Sequence, residues 1–159
     1  MIAFLVDTSF LITLADPTRA NHHTAKAYFL EALRRGTPMY LSVIAASEFH
    51  VRQPVTDLPL RHFEVLPFNI DHAMTAGQFM RELQRDAQDD RMAVKDDIKL
   101  IAQAVCTSAT HVLTEDARTL AKYVHRLNAT GQTALKVVLL ADGFDVAWFN
   151  GGQTSLPGT

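Results

Sequence analysis

Four acidic residues stand where an apolar segment has just ended or where a helix turns an apolar face inward. Asp7 follows Ile2-Ala3-Phe4-Leu5-Val6, and Glu48 lies in Ser47-Glu48-Phe49. Asp97 lies in Lys95-Asp96-Asp97-Ile98, and Asp116 closes Val112-Leu113-Thr114-Glu115-Asp116. Carboxylates gathered at one edge of a sheet repel each other and raise their own pKa values unless a cation sits among them. Hard oxygen ligands with space left for water suit magnesium or manganese, ions that most often meet phosphates. The chemistry these residue types suggest is metal-dependent hydrolysis of a phosphodiester.

Each acid also has a plainer reading. Asp7 could cap a helix, but Thr8 or Ser9 could do the same and leave Asp7 to project over the sheet, which favours the site. Glu48 shares a helical face with Ile44 and Val51; the alternative is a surface pair with Arg52, and the two are evenly balanced. Asp97 is in helical phase with Ile101, Ala104 and Val105, whereas Asp96 is in phase with Leu100 and Gln103. Phase therefore assigns Asp97 to the site and Asp96 to capping or support. For Asp116 the alternatives are a helix cap, or Glu115 as the acid that counts. The Thr114 hydroxyl could hold a water at the site or make a structural hydrogen bond.

The elements that must position these acids follow from periodicity and punctuation. Ile2 to Val6 is an apolar run suited to a strand buried on both faces. Phe10, Leu11 and Leu14 repeat at helical spacing until Asp16-Pro17. Asn21 is placed to cap a helix with Ala25, Tyr28, Phe29 and Leu33 on one face, closed by Arg34-Arg35-Gly36. Met39 to Leu41 is a second strand, and Ser42 caps the helix that carries Glu48. Phe63 to Phe68, interrupted by Pro67, is an edge strand. Asp71 is expected to cap a helix through Leu83, and Asp86 to Asp90 to form a charged hinge before the helix of Asp97. His111 to Thr114 is a strand, Arg118 to Leu127 a helix, and Leu135 to Leu140 the last strand. Strands alternating with helices predict a parallel sheet covered on both faces, with its site beyond the carboxyl ends of the strands.

Composition fits one globular domain: 159 residues, 48% hydrophobic, 20% charged and a net charge of −2. No apolar run is long enough for a membrane span, and the N-terminus lacks the basic region of a signal peptide. A single cysteine, Cys106, excludes an internal disulfide framework, fits a reducing cytoplasm and is expected to be buried. None of the seven histidines has zinc-site spacing. The slight negative charge argues against coating nucleic acid by bulk electrostatics, but not against local phosphate binding.

Taken in order, Val6-Asp7-Thr8-Ser9, Ser47-Glu48-Phe49, Asp97-Ile98-Lys99-Leu100-Ile101-Ala102-Gln103-Ala104 and Val112-Leu113-Thr114-Glu115-Asp116 resemble the motifs of PIN-domain nucleases, in particular VapC-type ribonuclease toxins. The resemblance runs from Ile2 to about Leu140. It implies a three-layer α/β/α sandwich with a central parallel sheet, residues 1–149 forming a single PIN-like domain and 150–159 a C-terminal tail. It also implies an acidic Mg2+ or Mn2+ site of Asp7, Glu48, Asp97 and Asp116, with Thr8, Ser9, Asp96 and Thr114 in support. The implied activity is endoribonucleolytic cleavage of RNA, with a VapB-like antitoxin and a homodimer as partners. The doubled Asp96-Asp97 and the segment after Leu140 depart from the common toxin pattern.

Within that reading Asp7 and Asp97 are the expected direct ligands, with Glu48 and Asp116 acting through water or on the nucleophile. Arg91 and Lys95 are the expected phosphate contacts, while Arg81 and Arg85 are read as salt-bridged to neighbouring acids. The face of Tyr28, Phe29 and Leu33 is either a docking surface or core. The rival functions are a phosphatase or DNA-directed nuclease using the same acids, a nuclease unconnected with an antitoxin, and a catalytically vestigial PIN-fold protein-binding module.

Overall fold

A computed structural model of the chain describes residues 1–151. Five strands, β1 (Phe4–Val6), β2 (Met39–Ser42), β3 (Glu64–Leu66), β4 (His111–Thr114) and β5 (Lys136–Leu139), form one sheet in the order β3-β2-β1-β4-β5. Every pairing is parallel; Val6 lies beside Leu41 on one side and Leu113 on the other. The central strands β1 and β4 are buried at every position, as inner strands of a doubly covered sheet should be. The half-exposed β3 forms one edge, where the proline-interrupted segment was expected.

Six helices complete the architecture: α1 (Thr8–Ala15), α2 (His22–Arg35), α3 (Val43–Arg52), α4 (Ile70–Glu82), α5 (Arg91–Cys106) and α6 (Leu120–Ala129). Right-handed crossovers put α1 to α3 on one face, because the chain steps outward from β1 to β3. The return from β3 to β4 and onward to β5 puts α4 to α6 on the other. This is the expected α/β/α sandwich. None of the helices is long and apolar enough to cross a membrane.

The helix ends show where local chemistry was read well or badly. Ser42 caps α3 by accepting from the Ile44 N–H (3.0 Å), as expected. Gly36 ends α2 in the left-handed conformation, φ +66°, that its missing Cβ allows. Asp71 does not cap α4; Asn69 does, reciprocally with His72. Neither Asp96 nor Asp97 caps α5. The helix begins six residues before Asp97, and Asp90 accepts from the Ala93 N–H (2.8 Å).

Tyr28 and Phe29 belong to the core, which settles their helix face as packing, while Leu33 is left at the surface. Tyr28 stacks on Phe149 (centroids 6.1 Å apart), which also packs against Phe4 of β1 (5.1 Å). The segment after β5, with 3-10 turns at Leu140–Asp142 and Val146–Asn150, therefore closes the core rather than hanging from it. From residue 152 onward the expected tail lies outside the described residues. Cys106 is exposed, contrary to expectation, because it ends α5 on the outward side and meets the Thr75 hydroxyl at 3.3 Å.

Candidate active site

The sheet order makes a crevice where chemistry can be assembled. From β1 the chain turns toward β2, and from β4 it turns toward β5, so the connections leave in opposite directions between these neighbours. Such a switch point opens a cleft at the carboxyl ends of the two strands. Asp7 is the first residue after β1, and Asp116 lies two residues after β4.

Asp7 is buried, with a dense set of donors. The Ser9 hydroxyl reaches both of its oxygens (2.7 and 2.9 Å), the Phe10 N–H donates to Oδ1 (2.8 Å) and the Thr114 hydroxyl to Oδ2 (2.5 Å). Asp7 is thus the cap of α1 while it stands at the carboxyl end of β1, so capping does not remove it from the crevice. Three protons meet about four acceptor positions, which leaves the carboxylate oriented with room for one further contact. Burial pushes its pKa up to about 6 despite these hydrogen bonds, and the charge of Asp116 adds to the rise.

Asp97, on the second turn of α5, is the unsatisfied member. Its Oδ2 is buried without a hydrogen-bond partner. Burial pushes its pKa up to about 8; the nearby Thr119 hydroxyl opposes this, and the charges of Asp116, Asp7 and Glu48 reinforce it. Asp97 thus lies within electrostatic reach of the other three expected acids. Among the described residues, however, no three carboxylate, imidazole or thiol groups converge into a ready metal cluster. Unneutralised carboxylates repel, so proximity without convergence is what their charge alone would produce.

Asp116 is held differently. Its carboxylate accepts from the N–H groups of Arg118 and Thr119 (both 2.9 Å) and of Leu120 (3.3 Å), and from the Thr119 hydroxyl. Burial raises its pKa, but these bonds together outweigh it and leave the group below its usual range. The helix-cap reading describes its contacts; the site receives its charge rather than a free lone pair. Glu48 is half-buried with Val51 fully outward, so the face expected to be apolar is not, and α3 buries Ala45 and Phe49 instead. No Glu48–Arg52 pair forms among the described residues. Burial raises the Glu48 pKa, Thr8 opposes that rise and Asp96 adds to it. The Thr8 hydroxyl is buried and makes no hydrogen bond among the described residues, so it is not part of the frame that holds Asp7.

Around these acids the support divides. Ser9 and Thr114 form one frame: Thr114 donates to Asp7 and accepts from the Asp116 N–H (2.8 Å), while Ser9 accepts from the Glu115 N–H (2.9 Å). Asp96 faces Lys99 at 3.4 Å. Arg91 and Lys95 line a separate cavity of about 150 Å3 with Met80, Leu83, Val94 and Tyr123, and no described contact ties them to the acids. Thr119 escaped the sequence reading, although Asp116 and Thr119, three residues apart before an apolar helix, form a capping pattern. Arg19 escaped it too. It pairs with Glu115 across 96 residues of sequence, a link that nothing local announces.

No protein-family model matches the chain, and no curated protein matches it. Solved structures do. A chain of the DNA-bound VapBC structure from Salmonella typhimurium aligns at 19% identity and TM-score 0.60, covering 88% of this chain and 99% of that one. Mycobacterium tuberculosis VapC20, described as a Sarcin-Ricin loop cleaving toxin, aligns at 18% identity and TM-score 0.55, covering 84% and 99%. A chain of Rickettsia felis VapBC2 bound to a promoter DNA fragment aligns at 14% and 0.56, covering 87% and 98%. Identities this low speak for architecture alone, and on architecture the chain has the PIN-domain fold of the VapC structures, as the motif order implied.

Proposed function

We propose that the chain is a divalent-metal-dependent endoribonuclease and the toxin of a type II toxin–antitoxin pair. The observation that carries this reading is the buried, unpartnered Oδ2 of Asp97, a residue within reach of the charges of Asp7, Glu48 and Asp116. A carboxylate in that position is costly unless a cation or a proton completes it. The donor set is all oxygen, which fits Mg2+ or Mn2+ and not a thiolate- or imidazole-preferring metal. Asp97 and Asp7 would hold such an ion directly, Asp97 through its open oxygen and Asp7 through its one spare acceptor position. Glu48 would reach it as the more mobile, half-buried carboxylate.

The chemistry such an ion supplies when bound is a more acidic water and neutralisation of charge on the phosphate and leaving oxygen. The chain's residues do the remainder. Ser9 and Thr114 lock Asp7 in one rotamer, so that a scissile phosphate meets a fixed rather than a wandering carboxylate. Thr119 holds Asp116 ionised, and Asp116 keeps the electrostatic demand for positive charge on Asp97. Glu48, half-buried and with its pKa raised by burial, is the carboxylate best placed to exchange a proton with water.

The toxin reading is supported by the architecture shared with VapBC structures, and it brings with it a VapB-like antitoxin and a homodimer as proposed partners. The test is cleavage mapping on total cellular RNA with added Mg2+ or Mn2+, using parent protein and Asp97→Ala. Discrete cleavages that vanish in the variant are expected. Identical profiles, or cleavage that persists in chelator, would remove the catalytic assignment.

A further inference from the structure

We infer that Arg19 and Lys99 are phosphate clamps that hold the backbone of an RNA strand against the acidic cluster; this rests on the nuclease reading above. An acidic site in a chain of net charge −2 needs local cations to receive a polyanion. Seven ion pairs join described residues, and they separate by length. Those of Arg34 and Arg35 with Glu31, of Lys122 with Asp86 and Asp89, and of Arg126 with Asp86 are all 2.9 Å or shorter. The remaining two are loose: Arg19–Glu115 at 3.5 Å and Lys99–Asp96 at 3.4 Å.

Both loose pairs use a carboxylate next to a site acid in the chain. Glu115 immediately precedes Asp116, and Asp96 immediately precedes Asp97. Glu115 is also bonded into the site frame, since its N–H donates to the Ser9 hydroxyl that donates to Asp7. Asp96 is close enough for its charge to act on Glu48. The turn between α1 and α2 and the helix α5 thus each bring one cation to a carboxylate that neighbours a site acid and that the chemistry does not use.

The looseness has a use. A charge-assisted bond ordinarily closes to about 2.7–2.9 Å, and an exposed pair longer than that contributes little to stability. Each side chain is more than a third exposed, 36% for Arg19 and 37% for Lys99. Exchanging the carboxylate for a phosphate therefore sacrifices little and leaves the cation where it already stood. Arg19 offers a planar fork that can grip one phosphate through two oxygens, and Lys99 a compact charge that follows a moving strand. Arg91 and Lys95, expected from sequence to have this role, lack any described link to the acids.

The test is binding of a fluorescein-labelled single-stranded oligoribonucleotide to Asp97→Asn protein in Mg2+ across a salt series, with steady-state cleavage measured in the otherwise unaltered chain. Arg19→Gln and Lys99→Gln are each expected to weaken binding about tenfold. Each should lower the salt slope by about 0.7, raise KM more than it lowers kcat, and leave the melting temperature unchanged. Arg19→Lys should recover part of the affinity. If the parent protein binds while both glutamine variants match it in affinity and slope, the clamps are wrong and the nuclease reading stands. A fall in kcat at unchanged KM would likewise refute a clamp. If the parent protein neither binds nor cleaves RNA, the nuclease reading fails and the clamps fall with it.

Discussion

Asp7 and Asp97 carry the same functional group, yet the fold treats them oppositely. Asp7 is surrounded by donors and Asp97 has an oxygen left bare, and this difference is reflected in pKa values of about 6 and about 8. Both lie above the ordinary 3.8, so between about pH 4 and 8 these two groups together bind more protons in the folded chain than in the unfolded one. The stability from this source is complete below the unfolded pKa and is lost as pH rises through 6 for Asp7 and through 8 for Asp97. In chelator, the melting temperature should therefore fall between about pH 5 and 8. Saturating Mg2+ should flatten that fall by favouring the charged forms. Asp97→Asn should be more stable than the parent protein at pH 8 without metal, and less responsive to Mg2+. Parallel pH profiles for the two proteins would mean that Asp97 is not the strained group.

At the scale of elements, α5 decides which of two adjacent acids can reach the site. The sequence leaves open whether Asp96 or Asp97 caps the helix; the structure starts the helix at Arg91 and gives the cap to Asp90. Asp90→Ala should cost about 1 kcal/mol in denaturant unfolding, and Asp96→Ala no more than about 0.5 kcal/mol. A larger loss for Asp96 than for Asp90 would contradict the observed helix start. The segment before α5 has a related lesson. Asp86 and Asp89, expected to pair with nearby arginines, bind Lys122, Arg126 and the Tyr123 hydroxyl on α6. A charged stretch that looks like a free hinge is anchored by partners 33 to 40 residues away.

For the whole molecule, the segment beyond β5 is an addition to the stretch that the four sequence motifs span. The addition is structural, since Phe149 packs on Phe4 and Tyr28, and the Tyr28 hydroxyl donates to the Gly143 carbonyl (3.2 Å) while accepting from the Asp145 N–H (3.1 Å). Phe149→Ala should destabilise the fold by about 3–5 kcal/mol, measured by urea unfolding. A loss below about 1 kcal/mol would mean that the segment merely rests on a complete domain.

Alone, the sequence determined the parallel α/β/α architecture, because apolar runs ending in acids and alternating with helical periodicity admit few other layer arrangements. It also singled out the four acids, through strand ends for Asp7 and Asp116, helical phase for Asp97, and motif order above all for Glu48. What it could not contain was the assignment of partners across the cleft. Whether Asp116 offers a lone pair or only a charge depends on the Thr119 hydroxyl and three N–H groups in one turn. Whether Arg19 belongs to the site depends on a contact that spans 96 residues. Periodicity fixes which way a side chain faces; only packing fixes what it meets there.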